Sequence, residues 1–178
     1  MEKTNNTAYY VKLTVTLFLI SAIAAALLGL VNSITKDPIA QHKADAAREA
    51  MSIVLASDSY DAVDFVDETG TVSALYRAGD AGYVADVTVG GCQGSIEMMV
   101  GVDADGNVTG VSIVDQAETS GLGANCVKSS FLDQFIGGSS FAVSKEGGTI
   151  DSLTGATITS RAVCTGVNNA VAAVAALQ

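Results

Sequence analysis

The sequence predicts an α+β domain, an antiparallel sheet packed with helices, joined to one N-terminal transmembrane helix. Three observations predict it. A charge-free apolar run fills Leu13–Val31. Val72–Arg77, Gly82–Val89 and Ser95–Val102 have strand composition, and Val108–Val114 alternates apolar with polar residues. A helical pattern over Ile158–Leu177 then follows the strands instead of alternating with them, which separates α+β from a parallel α/β sheet.

The apolar run would span roughly 28 Å as a helix, close to the thickness of a bilayer's hydrocarbon layer. A cleaved signal peptide usually has a shorter apolar region of about 7–15 residues. The end of this run, Gly29-Leu-Val-Asn-Ser33, is a poor cleavage site, and no Cys follows it to carry a lipid. A retained single-pass anchor is the reading. Lys3 and Lys12 precede the run and Lys36, Lys43 and Arg48 follow it, so the charge rule does not choose an orientation. The expected organisation is a short tail over residues 1–12, the anchor over 13–35, a juxtamembrane helix and connection over 36–71, and the folded domain over 72–178.

Within that frame, Asp37-Pro38 is expected to cap and open a helix that continues to Leu55. Residues 57–70, with Asp58, Asp61, Asp64, Asp67 and Glu68, read as a solvated connection. Asp103-Ala-Asp-Gly-Asn107 resembles the start of a calcium loop. Its glycine comes too early, however, and the twelfth position is Val114 where a bidentate Glu is needed, so a hairpin turn is expected. Ala124–Ile136 reads as a short helix, with a short apolar stretch near Phe141–Val143 after it. On the last helix Ile158, Ala162, Val167, Val171 and Val174 form roughly one face.

Composition removes several kinds of function. Nine basic residues against nineteen acidic ones give a net charge of −10, the wrong sign for a nucleic-acid partner. The single His, His42, leaves the folded region without a Ser-His-Asp or Cys-His centre and excludes a three-His zinc site. Cys92, Cys126 and Cys164 are widely spaced and include no Cys-x-x-Cys pair, so an iron–sulfur cluster held by this chain alone is not expected. They read as buried thiols, with one disulfide outside the cell as the alternative, and no metal site is predicted.

The segment richest in chemistry is Asp151-Ser-Leu-Thr-Gly-Ala-Thr-Ile-Thr-Ser-Arg161. Hydroxyls, a glycine and an acid stand directly before a helix, where unpaired N–H groups and the helix dipole favour an anion such as phosphate. A plain Thr/Ser helix cap uses the same residues, and the pattern alone does not separate the two. Nor does it separate Thr157 from Thr159. Arg161 reads equally as a phosphate partner or a surface residue.

Asp151 with Thr154-Gly155-Ala156-Thr157-Ile158-Thr159 resembles the Asp-x-x-(Ser/Thr)-Gly-Ala-Thr-x-Thr signature of the covalent FMN-binding domain family. Glu118-Thr119-Ser120-Gly121-Leu122-Gly123 resembles that family's Glu-Thr-Pro-Gly-Leu-Gly loop, with Ser120 in the place of Pro. The likeness runs from about residue 72 to 175, with both motifs in family order. With one membrane helix and a modest length, the chain is similar to the G subunits of Rnf electron-transport complexes.

The resemblance implies FMN esterified through its phosphate to Thr159, by a separate flavin transferase that uses FAD as donor. Thr154, Gly155, Ala156 and Thr157 would then shape the phosphate pocket, and Glu118, Thr119, Leu122 and Gly123 would line the ring. It implies an electron carrier within a ferredoxin:NAD⁺ oxidoreductase coupled to Na⁺ or H⁺ transport. Its partners would be the other membrane subunits and the lipid bilayer, and its flavin domain would lie outside the cytoplasmic membrane. Three alternatives stay open on sequence: the FMN subunit of a Na⁺-translocating NADH:quinone oxidoreductase, a stand-alone extracytoplasmic FMN carrier, and an anchored binding module without flavin.

Overall fold

A computed structural model describes residues 6–67 and 69–177, which divide into two compact units after Ala44. The first unit is helical throughout its described residues, as the greater part of α1 (Asn6–Val54). An 18-residue window of this helix has a mean hydropathy of 2.4, and none of that window is buried in protein. Large apolar side chains such as Phe18 and Leu28 point outward on all sides, the pattern of a helix whose solvent is lipid. Pro38 does not open a helix as the sequence suggests: it lies inside α1. Its ring removes one backbone donor, and the good helix formers that follow (Ala40, Gln41, Lys43, Ala44) carry the helix past the gap.

The second unit begins with the last turns of α1 and continues into a five-stranded antiparallel meander, β1 (Asp61–Val63), β2 (Val72–Arg77), β3 (Gly82–Gly90), β4 (Ser95–Asp103) and β5 (Val108–Gln116), in spatial order β1-β2-β3-β4-β5. The strands expected from composition are all present. β1 is the addition, pairing Asp61 with Arg77 and Val63 with Leu75 inside the segment read as a connection. Asp61 and the adjacent Asp64 carry the kind of charge an edge strand uses to resist further pairing, so they hid the strand from a composition reading. The β4–β5 turn is the expected hairpin, with Asp103 Oδ1 accepting the N–H groups of Asp105 and Asn107.

After β5 the chain does not form one helix over 124–136. It makes a 3₁₀ turn (Gly123–Val127), the short helix α2 (Ser129–Leu132) and a second 3₁₀ turn (Asp133–Phe135). Lys128 between them is extended, and the Asn125 side chain donates to the Gly121 carbonyl, a local bond that competes with helix growth. Val143 then forms a parallel bridge with Ile150, and the chain ends in α3 (Thr157–Ala175).

α3 covers one face of the sheet. Val163, Val167, Ala170 and Val174 meet Val87 and Val89 of β3 and Met98 and Val100 of β4 in the main core. Phe131, Phe135 and Phe141 close it, with ring centroids 5.6 and 5.1 Å apart. Ile158, expected on this face, is 55% exposed, because it sits in the first turn of α3, beyond the edge of the core. Cys126 and Cys164 are buried free thiols, burial pushing Cys164 up to about 11, whereas Cys92 is exposed in the β3–β4 turn.

The opposite face packs against Ala50, Met51 and Val54 at the end of α1. Gly101 and Gly110 pair across β4 and β5 and leave a notch for that end, and Thr109 Oγ1 donates to the Val54 carbonyl at 2.6 Å. A Cβ at Gly110 would stand 3.0 Å from Val54 Cα, a backbone atom that cannot rotate away. Gly110→Ala should therefore lower stability by about 1–3 kcal/mol, measured as a reduced denaturation midpoint of the detergent-solubilised chain.

Candidate functional site

Three segments meet at one end of the sheet: the β3–β4 turn, the residues after β5 and the first turn of α3. Glu118 joins them. Its Oε1 accepts the backbone N–H groups of Cys92 at 2.8 Å and Gln93 at 2.9 Å. Its Oε2 accepts the Thr159 hydroxyl at 2.5 Å. Both side chains are buried, Glu118 at 8% and Thr159 at 1% exposure. Burial pushes the Glu118 carboxyl up, but the Thr159 hydroxyl and the N–H groups of Gln93, Cys92 and Gly94 outweigh it and hold the group below its ordinary value. The same carboxylate, after burial, helps raise the Cys126 thiol.

α3 opens without a side-chain cap. Ala156 occupies the cap position, so neither Thr154 nor Thr157 caps the helix. Ser160 ties the preceding turn down instead, accepting from Leu153 N–H at 2.9 Å and donating to the Ala156 carbonyl at 3.0 Å. Gly155, at φ +75°, reverses the chain just before the helix, and a Cβ there would reach within 3.0 Å of Leu122 Cδ2. The first-turn amides and the positive end of the helix dipole are thereby left for a ligand. Lys145 adds a cation, with Nζ 3.4 Å from Thr157 Oγ1. Arg161 is engaged elsewhere, in an ion pair with Glu146.

These groups surround a cavity of about 450 Å³. Of the residues expected from sequence, the fold brings Glu118, Thr119, Leu122, Gly123, Gly155, Ala156, Thr157 and Thr159 to its lining, and leaves Thr154 exposed in the turn outside it. Cys92, Gln93, Lys145 and Ile158 line it as well. Ile158 had a signal, since it lies inside the Thr-Gly-Ala-Thr-x-Thr motif. The other three had none: Lys145 arrives through the Val143–Ile150 bridge, and Cys92 and Gln93 through the Glu118 bonds. A second cavity of about 440 Å³, between Phe65 and the C-terminal half of α3, has acidic Asp64 and Asp67 at its rim and no helix N-terminus.

The 119–123 turn closes although it lacks the expected Pro. Thr119 O accepts the N–H groups of Leu122 and Ala124, both at 3.1 Å, with Gly121 at φ +78°. Gly123 must be small, because a Cβ would come 2.5 Å from Glu118 Oε2 and 2.7 Å from Thr159 Oγ1.

A domain with an uncapped helix end, an adjacent cation and a half-apolar cavity, preceded by a helix suited to lipid, defines a membrane-anchored protein that binds a phosphate-bearing cofactor. The FMN-binding domain family matches residues 91–172, and the RnfG N-terminal region matches residues 9–54. The chain is 34% identical to the G subunit of the ion-translocating oxidoreductase complex of Methanosarcina acetivorans, over 94% of this chain and 95% of that one. It is 33% identical to the corresponding G subunit of Yersinia pestis, over 88% and 86%. It is 34% identical to the G subunit of the Na⁺-translocating ferredoxin:NAD⁺ oxidoreductase complex of Acetobacterium woodii, over 90% and 89%. Among solved structures, the C subunit of the Na⁺-translocating NADH-quinone reductase of Parabacteroides distasonis overlaps 56% of this chain and 58% of its own, at 24% identity and a TM-score of 0.44. The chain belongs to the RnfG family of ion-translocating oxidoreductase complexes, as a single-pass membrane protein whose cofactor is FMN.

Two outcomes follow from the geometry. Ser120 is the second residue of a turn whose third residue is at positive φ, a position that suits Pro, so Ser120→Pro should stabilise the chain by about 0.4–1 kcal/mol, read from thermal melts. Thr159→Val removes a donor from a buried carboxylate, which should raise the Glu118 pKa and destabilise the flavin-free protein by about 1–3 kcal/mol. A carboxyl held below its ordinary value contributes stability above that value and loses it as the pH falls through the folded pKa. The deficit of Thr159→Val should therefore be full at neutral pH and shrink on acidification, as followed by denaturant titration at several pH values.

Proposed function

We propose that this chain carries electrons through FMN esterified to Thr159, within a ferredoxin:NAD⁺ oxidoreductase that moves Na⁺ or H⁺ across the membrane. The observation that carries the reading is the buried Thr159 hydroxyl, held by Glu118 in the first turn of an uncapped helix on the wall of the cavity. The residues fit FMN. A Cβ at Gly155 would narrow the cavity against Leu122, and the cavity joins a phosphate-favouring end to an apolar one.

Thr159 would be the tether. The first-turn amides, Gly155, Ala156, Thr157 and Lys145 would hold the phosphate, with Thr154 and Asp151 shaping the turn before them. Leu122, Ile158, Thr119 and Gly123 would face the ring, Glu118 standing between ring and tether. FMN supplies the redox chemistry, while the protein fixes its place and its electrostatic surroundings. Attachment through the phosphate leaves the ring free to react and keeps the cofactor from being lost. A separate flavin transferase with FAD would make the bond. The Leu13–Val31 segment would lie in the lipid bilayer of the cytoplasmic membrane and the flavin domain outside it, against other membrane subunits of the complex.

Intact mass and a peptide map of the protein from its native membrane test this. The expected result is an increase equal to FMN minus water on the 151–161 peptide, abolished by Thr159→Val. An unmodified chain from cells that possess the transferase would overturn it.

A further inference from the structure

The groove of about 440 Å³ between the loop after β1 and the C-terminal half of α3 takes no part in the flavin site. Its walls are apolar. Phe65 and Leu177 lean on the main core, and the small side chains of Ala172, Ala173 and Ala176 leave the space open. Val66 carries the apolar surface outward and is 84% exposed, more than Phe18 or Leu28 of the lipid-suited helix. Together they make an apolar surface of the kind a partner covers.

The loop holds this shape through its own bonds. Asp67 Oδ1 accepts the Thr69 N–H at 2.8 Å and the Thr69 hydroxyl at 2.7 Å, and Oδ2 accepts the Val72 N–H at 2.9 Å. Asn169 of α3 donates to Thr71 Oγ1 at 3.0 Å and ties helix to loop. Burial pushes the Asp67 carboxyl up, but the Thr69 hydroxyl and the backbone N–H groups outweigh it and hold the group below its ordinary value. Asp67 is therefore charged at neutral pH. Asp64 stands exposed beside it on the rim. The last turn of α3 has no basic residue, so the partial negative charge of its carbonyls adds to the two aspartates. Apolar walls under a negative rim complement an apolar segment that bears Lys or Arg. The methylene stem would pack on the alanines while the charged head meets the carboxylates.

We propose that this groove docks a Lys- or Arg-bearing apolar segment of another subunit of the complex. The proposal rests on the reading of this chain as one part of a larger assembly and is independent of where the flavin is attached. Charge argues against two other occupants. A second copy would bring another net −10, and an anionic lipid surface would be repelled by the same rim. α3 joins the two sites, its first turn lining the flavin cavity and its last turns the groove, roughly 20 Å apart at the helical rise. A partner held in the groove thus leaves the mouth of the flavin cavity open to electron exchange.

The test uses native membranes that carry the whole complex. With photoreactive p-benzoylphenylalanine in place of Val66, irradiation should join this chain to a peptide of another subunit that contains Lys or Arg, identified by mass spectrometry. A link only to lipid, to a second copy or to a peptide without a basic residue would overturn the proposal, as would no link at all. Asp64→Lys reverses the charge at the rim, and Ala172→Phe fills the groove. Both positions are exposed, so thermal melts of the solubilised chain should not change. After affinity purification through another subunit, each variant should retain about tenfold less of this chain than the unsubstituted complex does. Undiminished retention in either variant would overturn the groove as the docking site and leave the complex reading intact. An unsubstituted chain that purifies alone from these membranes would overturn the complex reading, and this proposal with it.

Discussion

The arrangement of this domain depends on one carboxylate shared among three segments. Glu118 takes two backbone N–H groups from a turn some 25 residues before it and a hydroxyl from a helix 41 residues after it. Hydrogen bonds to a charged group are each worth about 1.5–3 kcal/mol, more than their neutral counterparts. Burial raises that value further, because no water replaces a lost partner. The bonds fix where the β3–β4 turn, the 119–123 loop and the first turn of α3 lie relative to one another. Those three pieces are the walls of the cavity.

The sheet explains why they gather there. In an antiparallel meander alternate turns fall at the same end, so the β3–β4 turn and the end of β5 are neighbours: Gly90 pairs with Ser95, and Ile96 pairs with Gln116. α3 packs its apolar face across β3 and β4, and its N-terminus reaches the same end. The other face of the sheet is closed by the last turns of α1, seated in the Gly101–Gly110 notch. With both faces covered, the site forms where the elements end and α3 begins without a side-chain cap. A phosphate-bearing cofactor has most to gain from such a place.

The chemical character of the cavity comes from separating charges over a short distance. A carboxylate holds Thr159 while an ammonium stands at Thr157, two positions earlier in the same turn. Arg161, the nearest cation along the chain, is paired with Glu146 and so does not compete with Lys145 for the cavity. The structure therefore distinguishes two hydroxyls that are equivalent in type and spacing.

Much of this was written in local sequence. The membrane helix, β2 to β5, the Asp103 hairpin and α3 each follow from periodicity or turn chemistry over short windows, and the two family motifs named most of the cavity lining. What the sequence left undecided depends on distant partners. β1 exists because Arg77 and Leu75 are there to pair with it, while Asp61 and the neighbouring Asp64 argue for a loop. The 124–136 segment carries helical composition that the turns at Gly123 and Lys128 divide. Ile158 satisfies the helical period yet points away from the core, since the period says nothing about where the sheet ends. The different surroundings of Thr157 and Thr159, and the presence of Lys145 and Cys92, were beyond any window, because contacts across 12 to 41 residues decide them. Spacing along a chain determines faces and turns; only the packed fold determines which charges meet.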